Sequence, residues 1–205
     1  MIRKIYLVRH GQTELNAAHL IQGQGINAGL NEIGISQARA FWEQYKSVDF
    51  SLIVYSNLLR SKQSVRNFLI EGRRALEAID LREISWGNIE GKPDKGEVHH
   101  TYTAVVKAWE NGLYESRVMG GESIKEINDR CQHFLDWFLP LDMETVLICS
   151  HGRTIRVLGC LLMNLPLTAM KDFPHSNTGV YIFERVAERW VVTLNNDTKH
   201  LNGIA

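Results

Sequence analysis

The chain has 205 residues, 44% of them apolar, which is enough for a substantial core in one large domain; its 23 Lys and Arg balance 23 Asp and Glu. That neutrality excludes an overall field drawing in nucleic acid or an anionic membrane, so any anion must be bound locally. The apolar part of "MIRKIYLVRH" is too short for a signal-peptide core, and "VLGCLLMNLPL" is broken by Asn164 and Pro166, so a cytoplasmic protein without a membrane span is expected.

In chain order, "KIYLV" (4–8) is a β-branched apolar run that reads as a first strand. Residues 31–47 predict a helix capped by Asn31, with Ala38, Phe41, Trp42 and Tyr45 on one stripe. "LIVYS" (52–56) reads as the next strand. The stretch of about 84–122, with "WGNIEGKPDKG", a His pair and "MGGE", is the least regular and is expected to be an insertion, or cap, over the sheet. Residues 123–139 predict a second helix: "SIKE" offers a capping box from Ser123 to Glu126, Ile127, Cys131, Phe134 and Phe138 share a face, and Pro140 stops it. "TVLIC" (145–149) is followed by a helix whose Ile155, Val157, Leu158, Leu161 and Leu162 surround most of its circumference, so it should be buried. "GVYIF" (179–183) and "WVVTL" (190–194) are separated only by "ERVAER", which suits an antiparallel edge.

Strands alternating with helices indicate an α/β fold, a mostly parallel central sheet with helices on both faces, in one domain spanning 1–205. Cys131, Cys149 and Cys160 are odd in number and lack metal-ligand spacing, so they read as buried thiols. His99 and His100 are adjacent and point in different directions, which argues against a shared metal.

Open α/β sheets bind ligands beyond the carboxyl ends of their strands. Arg9, His10 and Gly11 follow the first strand, Arg60 follows the second, and His151 and Gly152 follow the 145–149 strand; Glu83 follows the short apolar "AIDL". Two arginines and two histidines at one crevice suit a tetrahedral dianion, because the guanidinium fork matches phosphate oxygens bidentately. Gly11 and Gly152 are expected to bring backbone N–H groups close to that anion. A neutral imidazole among such cations can act as a nucleophile, and Glu83 could be the partner acid, protonating the leaving oxygen and then activating water. Taken singly, each of these residues has an ordinary structural explanation. Their joint placement at strand ends is what points to a site. Glu83 must be protonated when it acts as acid, so an acidic to neutral rate optimum is expected.

The ordered blocks "LVRHGQTELN", "IQGQGINAGLNEIGISQA", "YSNLLRSKQS", "LREISWGNIEGK", "GGES", "ICSHGRTIRVL", "SNTGV" and "NDTKHL" resemble the histidine phosphatase superfamily, also called phosphoglycerate mutase-like, over nearly the whole chain. The resemblance implies a three-layer α/β/α sandwich. It implies His10 as the nucleophile that becomes phosphohistidine, Glu83 as proton donor, and Arg9, Arg60 and His151 as the phosphate grip, with Asn16, Gln22 and Gly23 assisting. No metal or organic cofactor is implied. The partner would be a small phosphorylated metabolite, not nucleic acid or membrane, and a homodimer is left open.

Mutases of this family carry adjacent arginines in a longer insertion after the acid. Here that segment holds only Arg117, and Arg73 and Arg74 precede Glu83, so a phosphatase is favoured over a cofactor-dependent phosphoglycerate mutase. "LIQGQGINAGL", "GGES" and "SNTG" are similar to the branch that includes small fructose-2,6-bisphosphatases. A non-catalytic phosphate-binding or interaction protein on the same fold would be expected to lose the nucleophile or the acid, and neither is lost. Where the family commonly has "HGG" this chain has His151, Gly152 and Arg153; Arg153 is expected at the solvent, the alternative being a contact to a second phosphate. Where it commonly has Asp before a Pro-Leu pair, this chain has "NAGL" and one extra residue upstream.

Overall fold

The computed structural model describes residues 1–204. Six strands form one sheet in the order β3-β2-β4-β1-β5-β6. These are β1 (Lys4–Arg9), β2 (Leu52–Tyr55), β3 (Ala75–Glu77), β4 (Thr145–Ser150), β5 (Val180–Val186) and β6 (Arg189–Asp197). The first four in that order run parallel, β5 runs against β1, and β6 pairs antiparallel with β5, so the hairpin expected at the C-terminal edge is present. The helices are α1 (Glu14–Ala17), α2 (Glu32–Tyr45), α3 (Leu59–Ser64), α4 (Arg66–Ile70), α5 (Gly96–Glu110), α6 (Ile124–Phe138) and α7 (Gly152–Leu162).

Two buried clusters, one on each sheet face, follow from the twofold alternation of side chains along a strand. Ile5, Leu7, Val54, Val146 and Ile148 face α6 and α7, whereas Tyr6, Val8, Ile53, Tyr55, Leu147 and Cys149 face Phe41 and Tyr45 of α2, Phe68 of α4 and Val65 between α3 and α4 on the other side. On α6 the predicted capping box forms: the Ser123 Oγ accepts from the Glu126 N–H while the Glu126 carboxylate accepts from the Ser123 N–H. Ile127, Cys131, Phe134 and Phe138 of that helix are fully buried. Phe134 stacks on Phe138 with ring centroids 4.6 Å apart. Truncating Phe134 to alanine should therefore cost about 3–5 kcal/mol. Urea unfolding should show this as a lower midpoint at unchanged m, and a midpoint equal to that of the parent protein would contradict it.

Two elements depart from the sequence reading. The stretch 84–122 is not irregular throughout, because α5 occupies fifteen residues of it and packs Val98, Tyr102, Val105 and Trp109 toward the core. The apolar "AIDL" is not a strand; Ile79–Leu81 form a 3-10 turn, and the strand beside it is the three-residue β3. The three cysteines are buried and free, and burial pushes the Cys131 and Cys149 thiols up to about 12.

Register places the site. Arg9 pairs with Ser150 across β1 and β4, and Tyr55 pairs with Cys149 across β2 and β4. The residues just beyond, His10, Ser56 and His151, therefore emerge along one edge of the sheet. Because β5 is antiparallel and Val180 pairs with Val8, the loop leading into β5 arrives at that same edge.

Candidate active site

His10 is buried and its ring centroid lies 5.0 Å from that of His151, also buried. The His10 Nδ1 sits 2.7 Å from the Gly11 carbonyl oxygen, which can only accept, so Nδ1 carries the proton and Nε2 is left with a free lone pair. Burial, then Arg60 and Arg9, hold the His10 imidazole well below the usual histidine range, which keeps it neutral. His151 is lowered well below that range by burial, Arg60 and His10. Its Nε2 lies 2.5 Å from the Ser56 hydroxyl, which also accepts from the Leu58 N–H. A Ser56 hydroxyl proton given to Nε2 leaves the His151 Nδ1–H as donor, and that buried nitrogen has no partner.

Arg60 is fully buried at the start of α3, where Nη1 donates to the Ile26 carbonyl and Nη2 to the Gly23 carbonyl. Desolvation lowers its guanidinium to about 10. Arg9 donates through Nη1 to the His175 carbonyl. The Nε atoms of both arginines are buried without a partner. Each buried donor left unpaired carries a desolvation penalty, and four such groups, the two Nε atoms with Gln22 Nε2 and His151 Nδ1, belong to residues of this site.

Glu83, 8% exposed, comes from the loop after the 3-10 turn. Its carboxylate accepts from the N–H groups of Ile84, Arg153 and Thr154, the last two in the first turn of α7. It lies close enough to Arg9 and Arg60 to raise both guanidinium groups against their burial.

The neighbouring polar residues are assembled by local structure. Thr13 and Asn16 form a reciprocal capping box at α1, which sets Asn16 beside Gln22 and Asn177. Asn177 Nδ2 also donates to the His10 carbonyl at 3.0 Å. Asn16 thus stands in a network that reaches the His10 backbone. Gln22 accepts from the Thr13 hydroxyl at 2.9 Å, and Gly23 serves through the carbonyl that holds Arg60.

Two expectations are corrected. The Gly11 N–H does not face an anion: it donates to the Ser64 hydroxyl at 2.9 Å. Glycine is required there because a Cβ would lie 2.6 Å from the Gly34 carbonyl oxygen, so two backbones meet. Gly152 does stand at the N-terminus of α7, where a Cβ would come to 3.0 Å from the His175 ring. Arg153 does not reach solvent. Only 7% exposed, it lies against the rings of Trp86, Tyr102 and Trp109.

Ser56, Ser64, His175, Asn177 and Arg156 were not singled out by the sequence. Burial and the nearby arginines push His175 down to about 3, and the Arg156 Nε is buried and unpaired. His99 and His100 are exposed, and His99 Nδ1 meets the Asp94 carboxylate at 2.9 Å.

Solved structures with this architecture include phosphatases. A phosphoserine phosphatase from Entamoeba histolytica, solved in complex with 3-phosphoglyceric acid, is 27% identical and superposes with a TM-score of 0.81 over 98% of this chain and all of its own. An alpha-ribazole phosphatase from Shigella flexneri, at 22% identity, shares the fold with a TM-score of 0.83 over 95% of this chain and 96% of its own. Among sequence relatives, a Yersinia pestis (strain Pestoides F) protein named "Probable phosphoglycerate mutase GpmB" is 31% identical across 97% of this chain and 95% of its length. The model of the histidine phosphatase superfamily (branch 1) matches residues 5–198, and the chain belongs to that family.

Proposed function

We propose that this enzyme hydrolyses a phosphomonoester of a small metabolite through a phosphohistidine at His10. The carrying observation is the group of buried, unpartnered donors on Arg9, Arg60, His151 and Gln22 around an imidazole whose Nε2 is free. In the first step the Nε2 lone pair forms an N–P bond as the P–O bond to the leaving group breaks, and the Glu83 carboxyl gives its proton to the departing oxygen. In the second step a water oxygen attacks phosphorus, the N–P bond breaks with its electron pair returning to Nε2, and the water proton restores the Glu83 carboxyl. Inorganic phosphate is the product. Arg9 and Arg60 supply preorganised positive charge, and the His151 Nδ1–H a hydrogen-bond donor, to the equatorial oxygens, which is where a phosphoryl-transfer site does most of its work.

The pH dependence follows from His10. A free histidine would lose its lone pair as pH fell through about 6.5. The buried His10 is depressed, so it remains neutral there and protonates only in stronger acid. The acid limb of kcat/KM should accordingly lie below pH 6.5, and a limb at or above that value would contradict the assignment.

Transfer back to substrate instead of to water is the second reading, favoured by the name of the Yersinia relative. Against it, Arg117 is engaged by Glu126 at 2.9 Å and Glu115 at 3.5 Å on the exposed surface. Arg73 is tied to Glu71 and the Val48 carbonyl. Neither supplies the paired arginines that a mutase insertion offers. Incubation with 3-phosphoglycerate and a primer bisphosphate separates the readings: release of inorganic phosphate supports the hydrolase, and formation of 2-phosphoglycerate supports the mutase. A metabolite panel that includes fructose-2,6-bisphosphate, run with chelator present and compared by kcat/KM, would identify the leaving group.

A further inference from the structure

We infer that Arg153 is a positioning residue for Glu83, tying the carboxyl to α5. The inference rests on the reading of Glu83 as the acid. Arg153 holds two things at once. Its backbone N–H lies 3.1 and 3.2 Å from the two Glu83 carboxylate oxygens. Its guanidinium carbon lies 5.6 Å from the Trp86 ring, 5.9 Å from that of Tyr102 and 5.4 Å from that of Trp109.

Those three rings come from two other pieces of the chain. Tyr102 and Trp109 are seven residues apart on α5 and so share a face. Trp86 lies three residues beyond Glu83, on the same loop. The cage is itself fixed: Trp86 packs on Tyr102 with centroids 4.7 Å apart, the Trp109 indole N–H donates to the Ser116 carbonyl at 2.7 Å, and Arg153 Nη2 donates to the Tyr102 hydroxyl at 2.7 Å. One residue therefore joins the acid loop, α5 and the first turn of α7.

A stability role alone would not call for an arginine. Burying a guanidinium among rings requires its desolvation, which cation–π contact offsets only in part, and an aliphatic side chain of similar length would fill the space without that penalty. What the arginine adds is a fixed direction: lying among three rings and bonded to the Tyr102 hydroxyl, it sets the rotation of the first turn of α7 and with it the N–H groups that aim Glu83. Proton transfer needs that aim, since a misplacement of about 1 Å can reduce a rate about 100-fold.

The test compares two esters through kcat/KM, which reports events up to departure of the leaving group. Glycerol 2-phosphate leaves as an alkoxide and needs the proton; 2,4-dinitrophenyl phosphate leaves as a stable phenolate and does not. In Arg153→Ala the ratio of kcat/KM for the alkyl ester to that for the aryl ester should fall about 10-fold or more, with Arg153→Lys recovering part of it, on the scale of such misplacement. An unchanged ratio, whether both rates fall together or neither falls, would overturn the inference. Tyr102→Phe removes only the hydroxyl that receives Arg153, and carries the same test with a smaller fall if Arg153→Ala does not fold. Glu83→Gln is the control: if its own ratio is unchanged, the assignment of Glu83 as acid fails, whereas a falling ratio in Glu83→Gln beside constant ratios at Arg153 and Tyr102 defeats the positioning role alone.

Discussion

Replacing His10 by alanine should abolish phosphatase turnover, lowering kcat by at least about 10³-fold, because a residue that forms the covalent intermediate cannot be bypassed by the groups that merely bind. The side chain is buried among its neighbours and its Nδ1 meets only the Gly11 carbonyl, so its removal should leave the fold intact by circular dichroism. A second readout distinguishes a nucleophile from a binder. The parent protein, quenched during turnover, should carry phosphate in an acid-labile, base-stable linkage, and the alanine variant should carry none. A His10→Ala protein with parental kcat would end the phosphohistidine mechanism.

Arg60→Ala is the other substitution with a large expected effect. The guanidinium supplies charge-assisted bonds of about 1.5–3 kcal/mol each, so loss of two contacts to a phosphoryl group should lower kcat/KM by roughly 10²–10⁴-fold. Arg60→Lys keeps a charge but not the fork that reaches the Gly23 and Ile26 carbonyls, and should recover little of the loss. Both variants should also loosen the 21–31 segment, visible as faster amide exchange there. A kcat/KM within about twofold of the parent for Arg60→Ala would exclude Arg60 from the phosphate grip, given the size of such contacts.

Periodicity made α2, α6 and α7 legible, because Phe41, Phe134 and Leu158 repeat at helical spacing toward a sheet that is itself uninterrupted. It also carried α5, at Val98, Tyr102, Val105 and Trp109, but the flanking Gly and Pro residues and the His pair obscured it. β3 was not readable: with Ala75 and Glu77 exposed and only Leu76 partly buried, three residues are too few for an alternation to stand out. Within the site, the residues placed directly after strands came together as expected, since strand register alone aligns His10 with His151. The residues missed are those brought in by long-range closure. Nothing near Gly11 in sequence announces that Gly34 will lie against it, and nothing near Arg153 announces a cage of rings contributed by residues 86, 102 and 109. Only "SNTG" hinted at the loop that delivers Asn177.

The pairing of β1 between β4 and β5 has a consequence for how the enzyme comes into being. Asn177 reaches the His10 carbonyl across 167 positions and the His175 carbonyl receives Arg9 across 166, so both partners are synthesised long after the residues they hold. Contacts of such separation form late, after the entropy of closing the loop between them has been met. The strand that leads to His10 is interior in the finished sheet, yet neither of its partners exists until β4, at Thr145–Ser150, has been made. Assembly of the site thus waits until synthesis has passed Asn177, and shorter chains hold His10 and Arg9 without the contacts that fix them.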